Sequence, residues 1–89
     1  MIRKDIPVIN RLGLHARAAA KLVTLASEFS SAVQLERGKK RVNGKSIMGV
    51  MMLAAGQGAT IRVMVDGPDE QEAMASIEEL FRQRFGEDE

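Results

Sequence analysis

The sequence contains no cysteine, tryptophan or tyrosine, one histidine and two prolines. The missing cysteine excludes a disulfide framework, a thiolate metal site and a cysteine nucleophile, and it fits a reducing compartment. With a single histidine, neither a two-histidine zinc site nor a cysteine–histidine dyad can be assembled within one copy. No metal and no other cofactor is therefore expected. Phe29, Phe81 and Phe85 are the only aromatic residues, which leaves almost nothing on which to stack nucleobases. A dominant charge sign is missing too. Thirteen Lys and Arg against 12 Asp and Glu leave a formal charge of +1, too small a field to hold a phosphate backbone or an anionic membrane nonspecifically. No run of about 18 apolar residues occurs, and Met1-Ile2-Arg3-Lys4-Asp5 leads into no apolar segment of the signal-peptide kind. The expectation is a cytoplasmic protein with no nucleic-acid partner and no direct membrane insertion.

What is present is close to the average soluble domain: 45% hydrophobic and 28% charged residues, with 8 glycines among 89 residues. A chain of this size forms one domain, 1–89, around a single small core, burying a little over about 60% of its unfolded surface. It shows no repeat, linker or low-complexity tract, and only a short acidic tail from Gly86 to Glu89.

Residues 2 to 8 alternate, with Ile2, Lys4, Ile6 and Val8 on one face, and Pro7 marks an edge or a strand end. Ala19, Leu22, Val23 and Ala26 follow helical spacing within the Ala-rich stretch from Ala16 to Ala26. Residues 32–37 and 40–43 alternate around Gly38-Lys39 and make a hairpin that ends at Asn43-Gly44. Ser46 precedes an apolar run, Ile47 to Ala55, that reads as a short helix closing at Gly56. Residues 60–66 alternate as a strand, and Gly67-Pro68 breaks it. The last helix starts near Asp69. Asp69, Glu70 and Glu72 fall in its first turn and Arg82 and Arg84 in its last, and its core stripe is Ala73, Ile77, Leu80 and Phe81. The order βαββαβα predicts an α+β open-faced sandwich, a mostly antiparallel four-stranded sheet covered on one face by three helices.

The sharpest local feature is Gly13-Leu14-His15-Ala16-Arg17. It sets the only histidine immediately before a helix, where unpaired backbone N–H groups and the positive end of the dipole converge. A phosphoryl group on His15 would meet the amides of Ala16 and Arg17, and the Arg17 guanidinium would add a charge-assisted contact. The plainer alternative is that His15 caps the helix and Arg17 is a solvated charge. Ser46 likewise has two readings. It is an N-cap that needs no other purpose, or a site where an added phosphate is tolerated and switches the surface by charge. Methionines 48, 51, 52 and 64 fill core gaps on one reading, which accounts for Met64 and at least one of the others. A helix apolar all round cannot hide every side in so thin a domain, however, so part of Ile47, Met48 and Met51 is expected at the surface as a partner-binding patch. Arg37, Lys39, Lys40, Arg41 and Lys45 are either a phosphate-binding patch or solvated hairpin charges, and the missing aromatics favour the second.

Taken together, the His15 and Ser46 segments resemble the HPr family, the histidine-containing phosphocarriers of the bacterial phosphoenolpyruvate-dependent sugar phosphotransferase system. Gly13-Leu14-His15-Ala16-Arg17 is similar to the family's active-site motif, and Lys45-Ser46-Ile47-Met48-Gly49-Val50-Met51 to its regulatory-serine segment. The likeness runs over essentially the whole chain. It implies a stoichiometric carrier rather than a turnover catalyst. Enzyme I, charged from phosphoenolpyruvate, would phosphorylate His15 at Nδ1, Arg17 would contact the group, and an enzyme IIA domain would receive it. It also implies that an HPr kinase/phosphorylase acts on Ser46 where such an enzyme exists, and a monomer is expected. One departure is Ala18, where the family motif usually has proline. Alanine removes some stiffness from the first turn and adds an amide donor, and it keeps open the nitrogen-related NPr branch of the same family. A module used only for binding, switched at Ser46, is the competing function from another class. An RNA-binding α+β domain is disfavoured by the near-zero net charge and the lack of stacking residues.

Overall fold

Period-two patterning carries four segments into strands: β1 (Ile2–Pro7), β2 (Ala32–Arg37), β3 (Lys40–Asn43) and β4 (Thr60–Asp66). Between and after them lie α1 (Ala16–Ala26), α2 (Ile47–Met52) and α3 (Glu70–Arg82), and a single 3-10 turn, Arg84–Gly86, follows α3. The computed structural model describes residues 1–88. The sheet order is β1-β4-β2-β3, and every neighbouring pair is antiparallel. This is the open-faced sandwich that the element order predicts.

The register decides which face is covered. Ile61, Val63 and Val65 of β4 lie opposite Ile6, Lys4 and Ile2 of β1, and Val63 and Val65 pair with Leu35 and Val33 of β2. All but Ile2 and Lys4 in this set are buried. The set shares its core with Leu22 of α1, Val50 of α2, and Ile77 and Phe81 of α3. Burying each such side chain contributes about 1.5–3 kcal/mol. Lys4 sits on this covered face at the sheet edge, and its Nζ donates to Glu78 Oε1 of α3 at 2.9 Å. On the open face a row of alternating charge crosses all four strands: Asp5, Arg62, Glu36 and Arg41. Arg62 Nε donates to Asp5 Oδ1 at 3.2 Å, Arg62 Nη1 lies 3.6 Å from Glu36 Oε1, and Arg41 Nη2 donates to Glu36 Oε2 at 3.2 Å.

The structure corrects several sequence readings. The second helix stops at Met52 rather than Ala55, because Ala54 turns to φ 49° and sends Leu53 and Ala55 into the core. Met48, Met51 and Met52 are all exposed, so none of them fills a gap; Val50 and Leu53 do. Met64 is buried, but on the open side of β4, between Arg3 and Gln34 of the flanking strands. Leu80 is only half-buried. Arg84 lies beyond the end of α3, in the 3-10 turn. Asp69 is the N-cap of α3 rather than part of its first turn, and its side chain caps no α3 amide. Its carboxylate instead accepts the Ser30 and Ser31 amides, both at 2.9 Å, and the Ser31 hydroxyl. These bonds, that of the Ser31 hydroxyl foremost, hold Asp69 below the usual carboxylate range.

Candidate phosphoryl-acceptor site

The site is built from the turn that precedes α1. Gly13 N–H donates to the Asn10 carbonyl at 3.2 Å, and Asn10 Nδ2 donates back to the Gly13 carbonyl at 2.8 Å. Gly13 has φ +66°, and a Cβ there would stand 2.4 Å from the Ala55 carbonyl oxygen. Only glycine meets both conditions. The next amide, Leu14 N–H, donates to that same Ala55 carbonyl at 2.8 Å, which pins the entry of α1 to the loop after α2.

His15 then takes the N-cap position with extended backbone, φ −72° and ψ 176°, and its carbonyl accepts Ala19 N–H at 2.8 Å. Its imidazole makes no capping bond. Among the described residues no side chain accepts from the first-turn amides of this eleven-residue helix, and its first turn holds no acidic residue. The imidazole is 28% exposed. It lines an open hollow with Arg11, Leu12, Ala16, Arg17, Glu87 and Asp88. Arg17 is exposed and makes no hydrogen bond or ion pair among the described residues. His15 thus occupies the N-cap position through its backbone alone, with no capping bond from its imidazole.

The part of the site that sequence reasoning missed is the tail. After α3, Arg84, Phe85 and Gly86 all adopt positive φ, 55°, 55° and 80°. For the two non-glycine residues this costs about 1–2 kcal/mol each. Burial of Phe85, with its ring 5.0 Å from that of Phe81, offsets about 1.5–3 kcal/mol of that. Lys21 Nζ of α1 adds a bond to the Phe85 carbonyl at 2.7 Å. The turn returns the chain to α1 and sets Glu87 against His15. Glu87 Oε2 bonds His15 Nε2, and Glu87 Oε1 accepts Asn10 Nδ2 at 3.0 Å. Both partners of Asn10 Nδ2 are acceptors, so the amide can point only one way. The bond to His15 above all, with the Asn10 amide and Lys21 assisting against partial burial, holds the Glu87 carboxyl below its usual range. Nothing in the composition of the short acidic tail encodes the return; the two signals available were Phe85 and Gly86.

Ser46, Ile47, Met48 and Met51 do not line this hollow; they belong to α2, which packs against α1. Ser46 is the N-cap of α2, and its Oγ accepts Gly49 N–H at 3.1 Å. Ile47 and Met51 are partly exposed and Met48 is 73% exposed. At the other end of the helix, Lys40 Nζ reaches the Met52 carbonyl at 3.3 Å and Arg37 Nη1 the Leu53 carbonyl at 3.0 Å. Lys45 Nζ donates to the Phe29 carbonyl at 2.8 Å. With Arg41 on Glu36, four of the five basic residues of the hairpin segment are thus engaged by the fold, not merely solvated.

A small antiparallel α+β sandwich that presents its histidine as the N-cap of a helix, in one hollow with an exposed guanidinium that has no partner among the described residues, has the form of a phosphoryl-carrier domain. Comparison with known proteins agrees. The structure superposes on the crystal structure of HPr-C-His from Thermoanaerobacter tengcongensis with a TM-score of 0.96 at 43% identity, covering 100% of both chains. It also matches the crystal structure of an HPr dimer from the same organism, with a TM-score of 0.79 at 44% identity over 98% of this chain and 100% of that one. The phosphocarrier protein HPr of Cupriavidus necator is 56% identical over 89 residues, 100% of each chain. The family model described as PTS HPr component phosphorylation site matches residues 2–83. The chain belongs to the HPr family, the phosphocarriers of the phosphotransferase system.

Proposed function

We propose that this chain accepts a phosphoryl group on His15 Nδ1 from phosphoenolpyruvate-charged enzyme I and passes it to an enzyme IIA domain. The observation that carries the reading is His15 at the start of α1, with first-turn amides that no side chain caps and Arg17 in the same hollow. Phosphoryl transfer asks a protein mainly for positioning and charge stabilisation. The backbone amides of Ala16 and Arg17 and the Arg17 guanidinium supply donors where the transferred oxygens would lie. The Ala18 amide adds a further donor that proline would lack. In this role the chain is consumed and regenerated with its partners, a stoichiometric carrier and not a turnover catalyst. The test is incubation with enzyme I and phosphoenolpyruvate followed by mapping of the phosphorylated residue. Label on any residue other than His15 ends the proposal. Whether the group then serves sugar uptake or an NPr-type regulatory branch is decided by which IIA domain accepts it.

A second, compatible role rests on Ser46. Its hydroxyl sits at a helix start beside exposed Ile47 and Met48, so a phosphate added by an HPr kinase would be tolerated by the fold and would alter the face offered to partners. Ile47, Met48 and Met51 are the proposed contacts of that face with enzyme I and IIA domains. The carrier is proposed to work as a cytoplasmic monomer of one domain. One solved relative is an HPr dimer, so sedimentation at assay concentration is the check.

A further inference from the structure

Phosphorylation of a histidine can in principle occur at either ring nitrogen, and the choice is a property of the site. At His15 the two nitrogens are in different surroundings. Nε2 bonds Glu87 Oε2, whereas Nδ1 has no hydrogen bond among the described residues. We infer that Glu87, held in place by Asn10, is a positioning residue that masks Nε2, fixes the Nε2–H tautomer and leaves Nδ1 as the nitrogen open to a phosphoryl donor. The inference rests on the reading of His15 as the acceptor and adds what selects the atom.

Three features argue that the contact is built into the fold. Asn10, itself fully buried, divides its amide between the Gly13 carbonyl and Glu87, so the turn that sets His15 also sets the carboxylate. The reversal at Arg84–Gly86 is anchored by buried Phe85 and by Lys21 from α1, the helix that His15 begins. The Glu87 side chain is only 18% exposed. Glu87 also lies past residue 83, where the match to the family model ends. The histidine motif itself carries no trace of this contact.

The chemistry follows from the tautomer. With the proton on Nε2, the Nδ1 lone pair forms the new N–P bond as the donor's bond to phosphorus breaks and its electron pair leaves with the donor atom. The proton stays on Nε2, and the ring gains positive charge next to the Glu87 carboxylate. A histidine metal ligand is oriented by the same device, a carboxylate on the second nitrogen that fixes the first.

The experiment uses the full chain and potassium phosphoramidate, a small donor that needs no partner enzyme, with the two phosphohistidine isomers resolved by phosphorus NMR. The wild-type chain is expected to be modified on Nδ1. Glu87→Ala should move the ratio toward the Nε2 isomer by about tenfold or more, the effect of losing one hydrogen bond to a charged group. Glu87→Gln, which can still accept from Nε2–H, should restore much of the preference. Nitrogen NMR shifts of His15 should report the same loss of tautomer preference in Glu87→Ala and its recovery in Glu87→Gln. An isomer ratio unchanged by Glu87→Ala, or a wild-type product on Nε2, overturns the inference. Failure of enzyme I to charge the wild-type chain would instead overturn the proposed function, and the phosphoramidate ratio would still decide the role of Glu87.

Discussion

At the residue scale, the site depends on a few groups whose surroundings differ from water. His15→Ala should abolish charging by enzyme I, measured as phosphate incorporated per chain. Arg17→Ala should slow charging about ten- to a hundredfold, the worth of one charge-assisted contact. Its circular dichroism should be unchanged, because Arg17 is exposed and makes no bond among the described residues. Acid sensitivity is set by Asp69, Glu70 and Glu87, all held below the usual carboxylate range. A carboxyl with a depressed folded pKa binds fewer protons folded than unfolded. Its contribution is fully present above the ordinary carboxylate pKa and is lost as pH falls through the folded value. Melting temperature should therefore hold near neutral pH and fall below about pH 4, the ordinary carboxylate range. Asp69→Asn should flatten that acid limb, since the Ser30 and Ser31 amides and the Ser31 hydroxyl all bond this carboxylate. An acid limb as steep as the parent's would show that Asp69 does not govern it.

At the element scale, α2 and the turn before α1 make opposite predictions. Met48 is 73% exposed, so Met48→Asp should weaken complexes with enzyme I and IIA domains and leave the melting temperature within a degree or two of the parent. A large drop would assign Met48 to the core. Ser46→Asp keeps an N-cap acceptor, so the fold should be retained. The added charge beside Ile47 and Met48 should raise KM for enzyme I, most of all at low ionic strength where screening is least. Equal KM would leave Ser46 as a cap only. Gly13→Ala belongs to the other class. Its Cβ would meet the Ala55 carbonyl oxygen at 2.4 Å in a left-handed backbone conformation. It should cost about 2 kcal/mol or more, read by urea denaturation, and disturb the entry to α1 along with His15.

At the scale of the molecule, one small core carries three helices and four strands, and there is little redundancy in it. Leu22→Ala, at the middle of α1 and fully buried, should cost about 2–5 kcal/mol. That is a large share of the roughly 5–15 kcal/mol that stabilises a typical domain, and a midpoint of urea unfolding close to the parent's would contradict it. The open face of the sheet depends on the alternating row of Asp5, Arg62, Glu36 and Arg41. Exposed ion pairs of this kind contribute little each, but charges on β1 and β3 discourage edge-to-edge pairing with another sheet.

The strands and helices were legible in the sequence because their signals are local. Ile61, Val63 and Val65 alternate, Ala19, Leu22 and Ala26 recur at helical spacing, and Gly67-Pro68 breaks a strand whatever surrounds it. The place of His15 just before α1 was legible for the same reason, since a helix start is a property of consecutive residues, whereas the role expected of His15 and Arg17 came from the resemblance to the HPr family. The end of α2 was not, because Ile47 to Ala55 is apolar throughout, and only the positive φ of Ala54, with Leu53 and Ala55 turned into the core, shortens the helix. Nor did the sequence show that none of Met48, Met51 and Met52 fills a core gap; α2 turns Val50 inward and leaves all three exposed. The tail is the clearest case. Gly86 to Glu89 reads as a charged end, yet Phe85 enters the core, Lys21 holds its carbonyl and Asn10 receives Glu87 beside His15. Residues 72 positions apart meet there, a pairing that only the folded chain brings about, since contact across such a separation depends on where packing sends each segment and not on its neighbours in sequence.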